Sequence, residues 1–332
     1  MQYNFGVIGG GSWGTALACA AARAPKRAGV QANEQLFSRD PEQKISQTVL
    51  LYTPDENIAR EINYSRKNTK YLPEVELCPN IKATTALKNL FNCKTVIIAL
   101  PSQAFEATLT ELKHRNIPSD IILLIATKGM CSKPVQLFSQ KIESELTNPY
   151  GFISGPNFAK EVAQGKFASI TVTSKDLILA KKLAGELASE RLYTSASDDI
   201  ITVQIAGIVK NITAIKSGIL KARGEGENAK AWLISQGLKE VALISNALGG
   251  KYESLTLPAV IGDLVLTSYS QTSRNTKFGF EFHNSGYEKN FIKNYPALVE
   301  GIGASKSIVK YVAKYNLDLP IISSIAELVR EE

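Results

Sequence analysis

The sequence predicts an α/β half followed by an all-α half, and three observations carry that prediction. Short apolar runs separated by helix-like segments fill the first 193 residues. A turn with four glycines in six positions, Gly9 to Gly14, stands between the first such run and the first helix. After Ser197 the strand punctuation stops and long apolar helices take over. Strands alternating with helices build a parallel sheet from βαβ units, whereas unbroken helical segments build a layer of their own. The boundary is placed at 193/194, giving domains 1–193 and 194–332.

The elements follow in order. Strand-like runs are YNFGVIG (3–9), EQLFS (34–38), KTVIIAL (94–100), IILLIAT (121–127), ASITVT (168–173) and RLYTS (191–195). Several are continuously apolar, as strands covered on both faces must be. The clearest helices of this half are 15–23 and 103–114. In the second half Ser197 suits a helix N-cap, with Asp198 and Asp199 near the positive helix end. A long, mostly apolar helix follows, then helices over 229–248 and 299–315. No internal repeat or low-complexity tract occurs.

Composition narrows the function classes. At 332 residues, with 44% hydrophobic and 21% charged residues, the chain is an ordinary globular mix of two-domain length. No apolar run in the sequence approaches the roughly 18 residues of a membrane span. The N-terminus lacks the charged and long apolar regions of a signal peptide, so a cytoplasmic protein is expected. Cys19, Cys78, Cys93 and Cys131 have no C-x-x-C spacing, so neither zinc nor a redox pair is indicated. The two histidines, His114 and His283, cannot form a metal cluster. The net charge of +7 is scattered rather than blocked, and aromatic residues do not alternate with basic ones. That pattern disfavours nucleic acid and suits a small anionic metabolite.

Gly9, Gly11 and Gly14 fit G-x-G-x-x-G, with Gly10 as an extra. The motif alone fits a plain turn as well. Its place, after a predicted strand and opening a predicted helix, is that of a dinucleotide-binding Rossmann turn. The first glycine permits the turn, the second admits a pyrophosphate, and the third packs helix on strand. The phosphates then meet free N–H groups at the helix N-terminus. The run 34–38 reads as the second strand, and Arg39 stands directly after it. A cation there suits a 2′-phosphate, so the cofactor is expected to be NADPH, with NADH possible. The alternative is a surface arginine in a turn.

Lys210 lies inside QIAGIVKNITAI, and its neighbours at i±3 and i±4 are small. Such a lysine either snorkels to solvent or sits in a pocket. In a pocket desolvation lowers its pKa and fits it for proton exchange near neutrality. Gly207, one turn earlier, leaves room for a substrate.

Taken together, several blocks resemble the bacterial-type NAD(P)-dependent glycerol-3-phosphate dehydrogenases. These are GGGSWGTALA with its Ser12-Trp13, IATKGM (125–130, carrying Lys128), SGPNFAKEV (154–162), AGIVKN with Lys210, GDLVLT followed by SRNTKFG (262–279), and VEG (299–301). They span residues 6–301 in family order. The resemblance implies a Rossmann domain followed by an all-α domain. It implies interconversion of dihydroxyacetone phosphate and sn-glycerol 3-phosphate by hydride transfer, feeding glycerophospholipid synthesis, and a homodimer. It makes Lys210 the proton donor or acceptor at the C2 oxygen, with Asp263 beside it. Lys128, contributed from the other domain, Gly155, Asn157, Ser273, Arg274 and Asn275 are implied substrate contacts, with Arg274 and Asn275 on a phosphate. Gly9, Gly11, Ser12, Trp13, Gly14, Arg39, Lys128, Ala159, Arg274 and Glu300 are implied cofactor contacts.

Without the resemblance, Asp263 could cap a helix, SRN could be a turn, and Lys128 could close a strand end. The chain departs from the family at Asn157, where Ser or Thr is usual, and at Ala206-Gly207, where two glycines are usual. The rival functions are another two-domain reductase of a small hydroxy acid and an inactive nucleotide sensor.

Overall fold

Tyr3–Ile8 (β1) is apolar on both faces, with Phe5, Val7 and Ile8 buried, and so takes a central place in a sheet. The computed structural model describes residues 3–25 and 47–330. The strands that follow are β2 (Val49–Tyr52), β3 (Ile81–Thr84), β4 (Cys93–Ile98) and β5 (Ile122–Ile125). A two-stranded hairpin, β6 (Cys131–Ser132) with β7 (Val135–Gln136), precedes β8 (Tyr150–Ser154), β9 (Ala168–Thr173) and β10 (Leu192–Ser197). Apart from the hairpin they form one eight-stranded sheet in the order β10-β9-β8-β5-β4-β1-β2-β3. Six neighbouring pairs run parallel. Gly151, at the start of β8, faces the carbonyl of Thr173, at the end of β9, so that pair runs in opposite senses. The sheet is therefore mostly parallel, as expected, with one reversal.

Strand order turns back between β1 and β4, with β2 and β3 on one side and β4 and β5 on the other. In open sheets of this kind ligands bind at the carboxyl ends of the strands where the order reverses. The glycine turn follows β1 at that place.

The helices of this part are α1 (Ser12–Arg23), α2 (Glu56–Ser65), α3 (Ser102–His114), α4 (Phe138–Glu145), α5 (Ala159–Ala163) and α6 (Leu177–Leu187). Alanines line α1, and Ala16 to Ala22 are buried, which lets that helix lie close to strand and helix neighbours. Arg23 at its end donates to the carbonyls of Val162 (2.8 Å) and Ala163 (2.5 Å), tying α1 to α5.

From Ile200 the chain is helical: α7 (Ile200–Ala222), α8 (Glu227–Ala247), α9 (Asp263–Tyr269), α10 (Arg274–Asn284), α11 (Lys289–Asn294), α12 (Glu300–Val312) and α13 (Pro320–Leu328). Asp199, not Ser197, caps α7, its Oδ1 accepting from the N–H groups of Ile201 (3.1 Å) and Thr202 (2.9 Å). By length and composition alone α7 could cross a bilayer. It is instead the buried axis of this part, packed by α8, α9, α10, α12 and α13. Its approach to α10 is close enough to require glycine on both sides. A Cβ at Gly218 would fall 2.0 Å from the Thr276 carbonyl, and one at Gly279 would fall 2.0 Å from that of Ile215.

The chain forms two compact units. The first takes in Met1–Thr127, Ile142–Ile153 and Asn157–Asp198, and the second takes in Lys128–Lys141, Ser154–Pro156 and Asp199–Glu332. Two short excursions therefore bring Lys128 and Ser154 to the helical unit, although Lys128 follows β5 and Ser154 is the last residue of β8. Lys128 thus falls in the same compact unit as Lys210.

The strand that pairs with β1 at the second position is Val49–Tyr52, with Phe5 opposite Val49 and Ile8 opposite Tyr52. The run 34–38 and Arg39 lie outside the described residues. Strands β2, β3 and β8 and the β6–β7 hairpin have no counterpart among the expected ones. The sequence IKAT buries only Ile81, because β3 is the sheet edge, and so carries little hydrophobic signal.

Candidate active site

The glycine turn belongs wholly to the first unit. Gly9 has φ +129°, and a Cβ there would fall 2.3 Å from the Ala99 carbonyl. A Cβ at Gly14 would fall 2.0 Å from the Gly9 carbonyl, so the first turn of α1 packs directly on the loop. Gly11 is different. A Cβ there meets nothing within 4 Å, and Gly11 is the N-cap of α1 with no side-chain hydrogen bond. The first N–H groups of α1 are thus left without a side-chain acceptor, beside open space. That is the arrangement an anionic phosphate requires.

Asn68 braces this turn from behind, its Nδ2 donating to the Gly10 carbonyl (2.9 Å) and Thr15 Oγ1 (2.8 Å). Ser12 opens α1. Trp13 Nε1 donates to the Ala126 carbonyl (3.3 Å), which fixes the indole at the end of β5. Ala159 opens α5, and Asn157 Nδ2 donates to the Ser169 carbonyl (3.4 Å).

The second unit holds a charge cluster. Lys210 projects from the middle of α7 and is almost wholly buried. Its Nζ lies 2.6 Å from Asp263 Oδ1 and 3.1 Å from Thr267 Oγ1. Lys128 Nζ lies 2.5 Å from Asp263 Oδ2, and Ser154 Oγ donates to the same oxygen at 3.2 Å. Thr267 Oγ1 donates to Asp263 Oδ1 (3.2 Å). Asp263 therefore receives four hydrogen bonds, two per oxygen, which fills the capacity of a carboxylate.

Local sequence explains why these groups meet. Pro258–Gly262 forms a π-helical turn that delivers Asp263 to the start of α9, and such turns recur at functional sites. A Cβ at Gly262 would fall 3.1 Å from Pro156 Cγ, so Pro156 closes on the turn and holds Ser154 near the carboxylate. Thr267 is one turn after Asp263 on the same face of α9. A Cβ at Gly207 would lie 3.7 Å from the Lys128 stem, ordinary contact, so Gly207 stands against Lys128 rather than against empty space.

Electrostatics follows from the geometry. Burial lowers the Lys210 ammonium to a pKa of about 7; Asp263 opposes that shift and the Lys128 charge adds to it. Burial alone would raise the Asp263 carboxyl, but Lys128 and Lys210 outweigh it and hold the acid below its usual value. The pair is thus an ionised carboxylate beside a lysine poised near neutrality. Two of the three Lys210 N–H groups are committed, and the third has no acceptor among the described residues.

Of the remaining expected residues, Ser273 caps α10, its Oγ accepting from Thr276 N at 3.4 Å. Arg274 is exposed at the first residue of that helix. Asn275 is buried and bridges two helices. Its Nδ2 donates to Asn211 Oδ1 on α7 (3.0 Å), and its Oδ1 accepts from Gly301 N on α12 (3.1 Å). Glu300 opens α12, and Gly155 lies in the Ser154–Pro156 segment.

Ser154, Thr267, Asn211 and Asn68 carry the geometry but were not among the expected residues. Thr267 had a legible signal, four residues after Asp263 on a helix. Ser154 and Asn211 lie inside named blocks without having been singled out there, and Asn68 has no sequence signal.

Fold and site define an NAD(P)-dependent oxidoreductase acting on a CH–OH group. Residues 4–180 match the profile of the NAD-dependent glycerol-3-phosphate dehydrogenase N-terminus, and residues 199–332 match that of its C-terminus. A glycerol-3-phosphate dehydrogenase [NAD(P)+] of Rickettsia bellii is 44% identical over 331 residues, 98% of each chain. The crystal structure of the Coxiella burnetii glycerol-3-phosphate dehydrogenase superimposes with a TM-score of 0.84 at 30% identity, over 99% of this chain and 95% of that one. The Saccharomyces cerevisiae enzyme shares the fold, with a TM-score of 0.80 at 24% identity, over 100% and 97% of the two chains. The chain belongs to the NAD-dependent glycerol-3-phosphate dehydrogenase family.

Proposed function

We propose that this chain interconverts dihydroxyacetone phosphate and sn-glycerol 3-phosphate, with Lys210 exchanging the proton at the substrate's C2 oxygen. The observation that carries the role of Lys210 is its uncommitted third N–H, on a buried ammonium whose other bonds fix its direction. The bound nicotinamide supplies or accepts the hydride. The uncapped N-terminus of α1 and the open space at Gly11 suit the dinucleotide's diphosphate.

In the direction of reduction, Lys210 begins protonated. It donates a hydrogen bond to the carbonyl oxygen and gives up the proton as that oxygen becomes an alkoxide. In oxidation the neutral amine takes the hydroxyl proton. Asp263 does not receive a proton in either direction; two of its four accepted hydrogen bonds hold the lysines, and its charge offsets one of the two ammonium groups. Lys128 supports the same oxygen or the adjacent hydroxyl.

Arg274 is exposed at the start of α10, where its guanidinium can take a phosphate bidentately. Ser273 and Asn275 stand beside it. The Asn275 amide is partly engaged in bracing α7 to α12, so its contribution is the second N–H of Nδ2. Gly155 and Asn157 complete the substrate contacts, and Ser12, Trp13, Ala159 and Glu300 those to the dinucleotide. A cytoplasmic place for the reaction rests on four free thiols, which a reducing compartment maintains.

The test is oxidation of NADH and NADPH by the purified protein, with and without dihydroxyacetone phosphate. Oxidation that depends on that substrate is expected. Turnover only with a non-phosphorylated keto acid, or dinucleotide binding with no turnover, would contradict the reading.

A further inference from the structure

The sheet register places a segment other than Arg39 beside the glycine turn. Ile8 lies opposite Tyr52, and Gly9 N donates to the Tyr52 carbonyl (3.1 Å). The next residue, Thr53, packs on the turn itself: a Cβ at Gly10 would fall 2.7 Å from Thr53 Cβ and Oγ1. Thr53-Pro54-Asp55 is therefore the segment at the carboxyl end of the neighbouring strand. In a sheet of this kind that segment meets the adenosine ribose. A carboxylate there binds the 2′-hydroxyl, and a cation there accommodates a 2′-phosphate.

This segment is acidic. Thr53, Pro54, Asp55 and Glu56 include two carboxylates and no cation. The N-terminus of α2, an anion site by its exposed N–H groups, is already filled by the chain's own carboxylate. Asp55 Oδ1 accepts from Asn57 N (3.0 Å) and Ile58 N (3.3 Å). Its Oδ2 accepts from Lys70 Nζ (3.1 Å), so the nearest lysine is committed to this acid. The hydrogen bond from Lys70, with those from the helix, holds the carboxyl below its usual range and ionised at neutral pH. A 2′-phosphate brought here meets like charges and an occupied helix end. A ribose diol meets an acceptor oxygen.

We propose that Asp55 reads the adenosine ribose of the dinucleotide and selects NADH over NADPH in this chain. The proposal rests on the dinucleotide site described above and assigns its specificity. The strand beside β1 is Val49–Tyr52, so the segment that the register carries to the ribose is Thr53-Pro54-Asp55.

The test is the dissociation constant of NADH and of NADPH, each by titration, for the wild-type chain and for Asp55→Ser. Serine retains the helix cap, so the variant should fold. The wild-type chain is expected to bind NADH about tenfold or more tightly than NADPH, a difference of about 1.4 kcal/mol. Asp55→Ser should bring the ratio close to unity, weakening NADH and strengthening NADPH. Equal or tighter binding of NADPH by the wild-type chain would overturn the proposal, as would a ratio that Asp55→Ser leaves alone. So would a selectivity that follows Arg39→Ser instead. Binding of neither dinucleotide would sink the underlying dinucleotide reading, a result distinguishable from all of these.

Discussion

The glycine turn and the lysine cluster handle charge in opposite ways. The turn is made of backbone: its shape comes from the missing Cβ atoms of Gly9 and Gly14, and its attraction for an anion from unpaired N–H groups. The cluster is made of side chains, two ammonium groups around one saturated carboxylate. A backbone site cannot titrate, so it suits binding. A buried lysine near its pKa can titrate, so it suits proton transfer. Damage to the first should appear in affinity, and damage to the second in rate and pH dependence.

The largest expected effect is on rate. Lys210→Ala should lower kcat for dihydroxyacetone phosphate reduction by about 10³-fold while dinucleotide affinity changes little. Steady-state kinetics beside a binding titration checks this, and retained turnover would remove Lys210 from proton transfer. The complementary damage is Gly14→Ala. Its methyl cannot coexist with the Gly9 carbonyl 2.0 Å away, so dinucleotide affinity should fall by about 100-fold or more, with a lowered Tm. Gly11→Ala sharpens the contrast, because its methyl meets no protein atom within 4 Å. Tm should stay unchanged while affinity falls by about tenfold, since the methyl intrudes only where the diphosphate binds. Unchanged affinity would place the phosphates elsewhere.

A smaller effect concerns stability alone. Glu240 on α8 is buried and accepts from the N–H groups of Ile321 (2.6 Å) and Ile322 (3.1 Å), capping α13. Burial raises its pKa to about 7 from the ordinary 4.5, against the pull of those bonds. The native state therefore holds this proton where the unfolded chain has lost it. That contribution is complete below pH 4.5 and declines as pH rises towards 7. Glu240→Gln should remove on the order of 2 kcal/mol of this pH dependence. Denaturant unfolding at several pH values measures it, and parallel curves for the two proteins would contradict it.

Much of this was legible in the sequence, for identifiable reasons. The continuous apolar runs in β4 and β5 announce buried strands, and a charged residue within the Ile- and Val-rich stretch of α7 announces a special lysine. The second strand was not legible. EQLFS and VLLY are both short apolar runs after the first helix, and only the pairing of Phe5 with Val49 distinguishes them. That ambiguity is why the segment after Val49–Tyr52, and with it Asp55, was not singled out in the sequence. The partners of Asp263 were half legible. Lys210 and Lys128 stand in recognisable blocks, but Ser154 reaches the carboxylate through Pro156 packing on Gly262, a contact across about 100 residues that no local pattern records.

The role of Lys210 is tested most directly by the pH dependence of kcat/KM in both directions, which reports the free enzyme's groups. With its ammonium lowered to a pKa of about 7, reduction requires the protonated form and oxidation the neutral form. The kcat/KM of dihydroxyacetone phosphate reduction should fall as pH rises through about 7, and that of sn-glycerol 3-phosphate oxidation should rise through the same value. Profiles that move together, or that both ignore this range, would contradict proton exchange at Lys210.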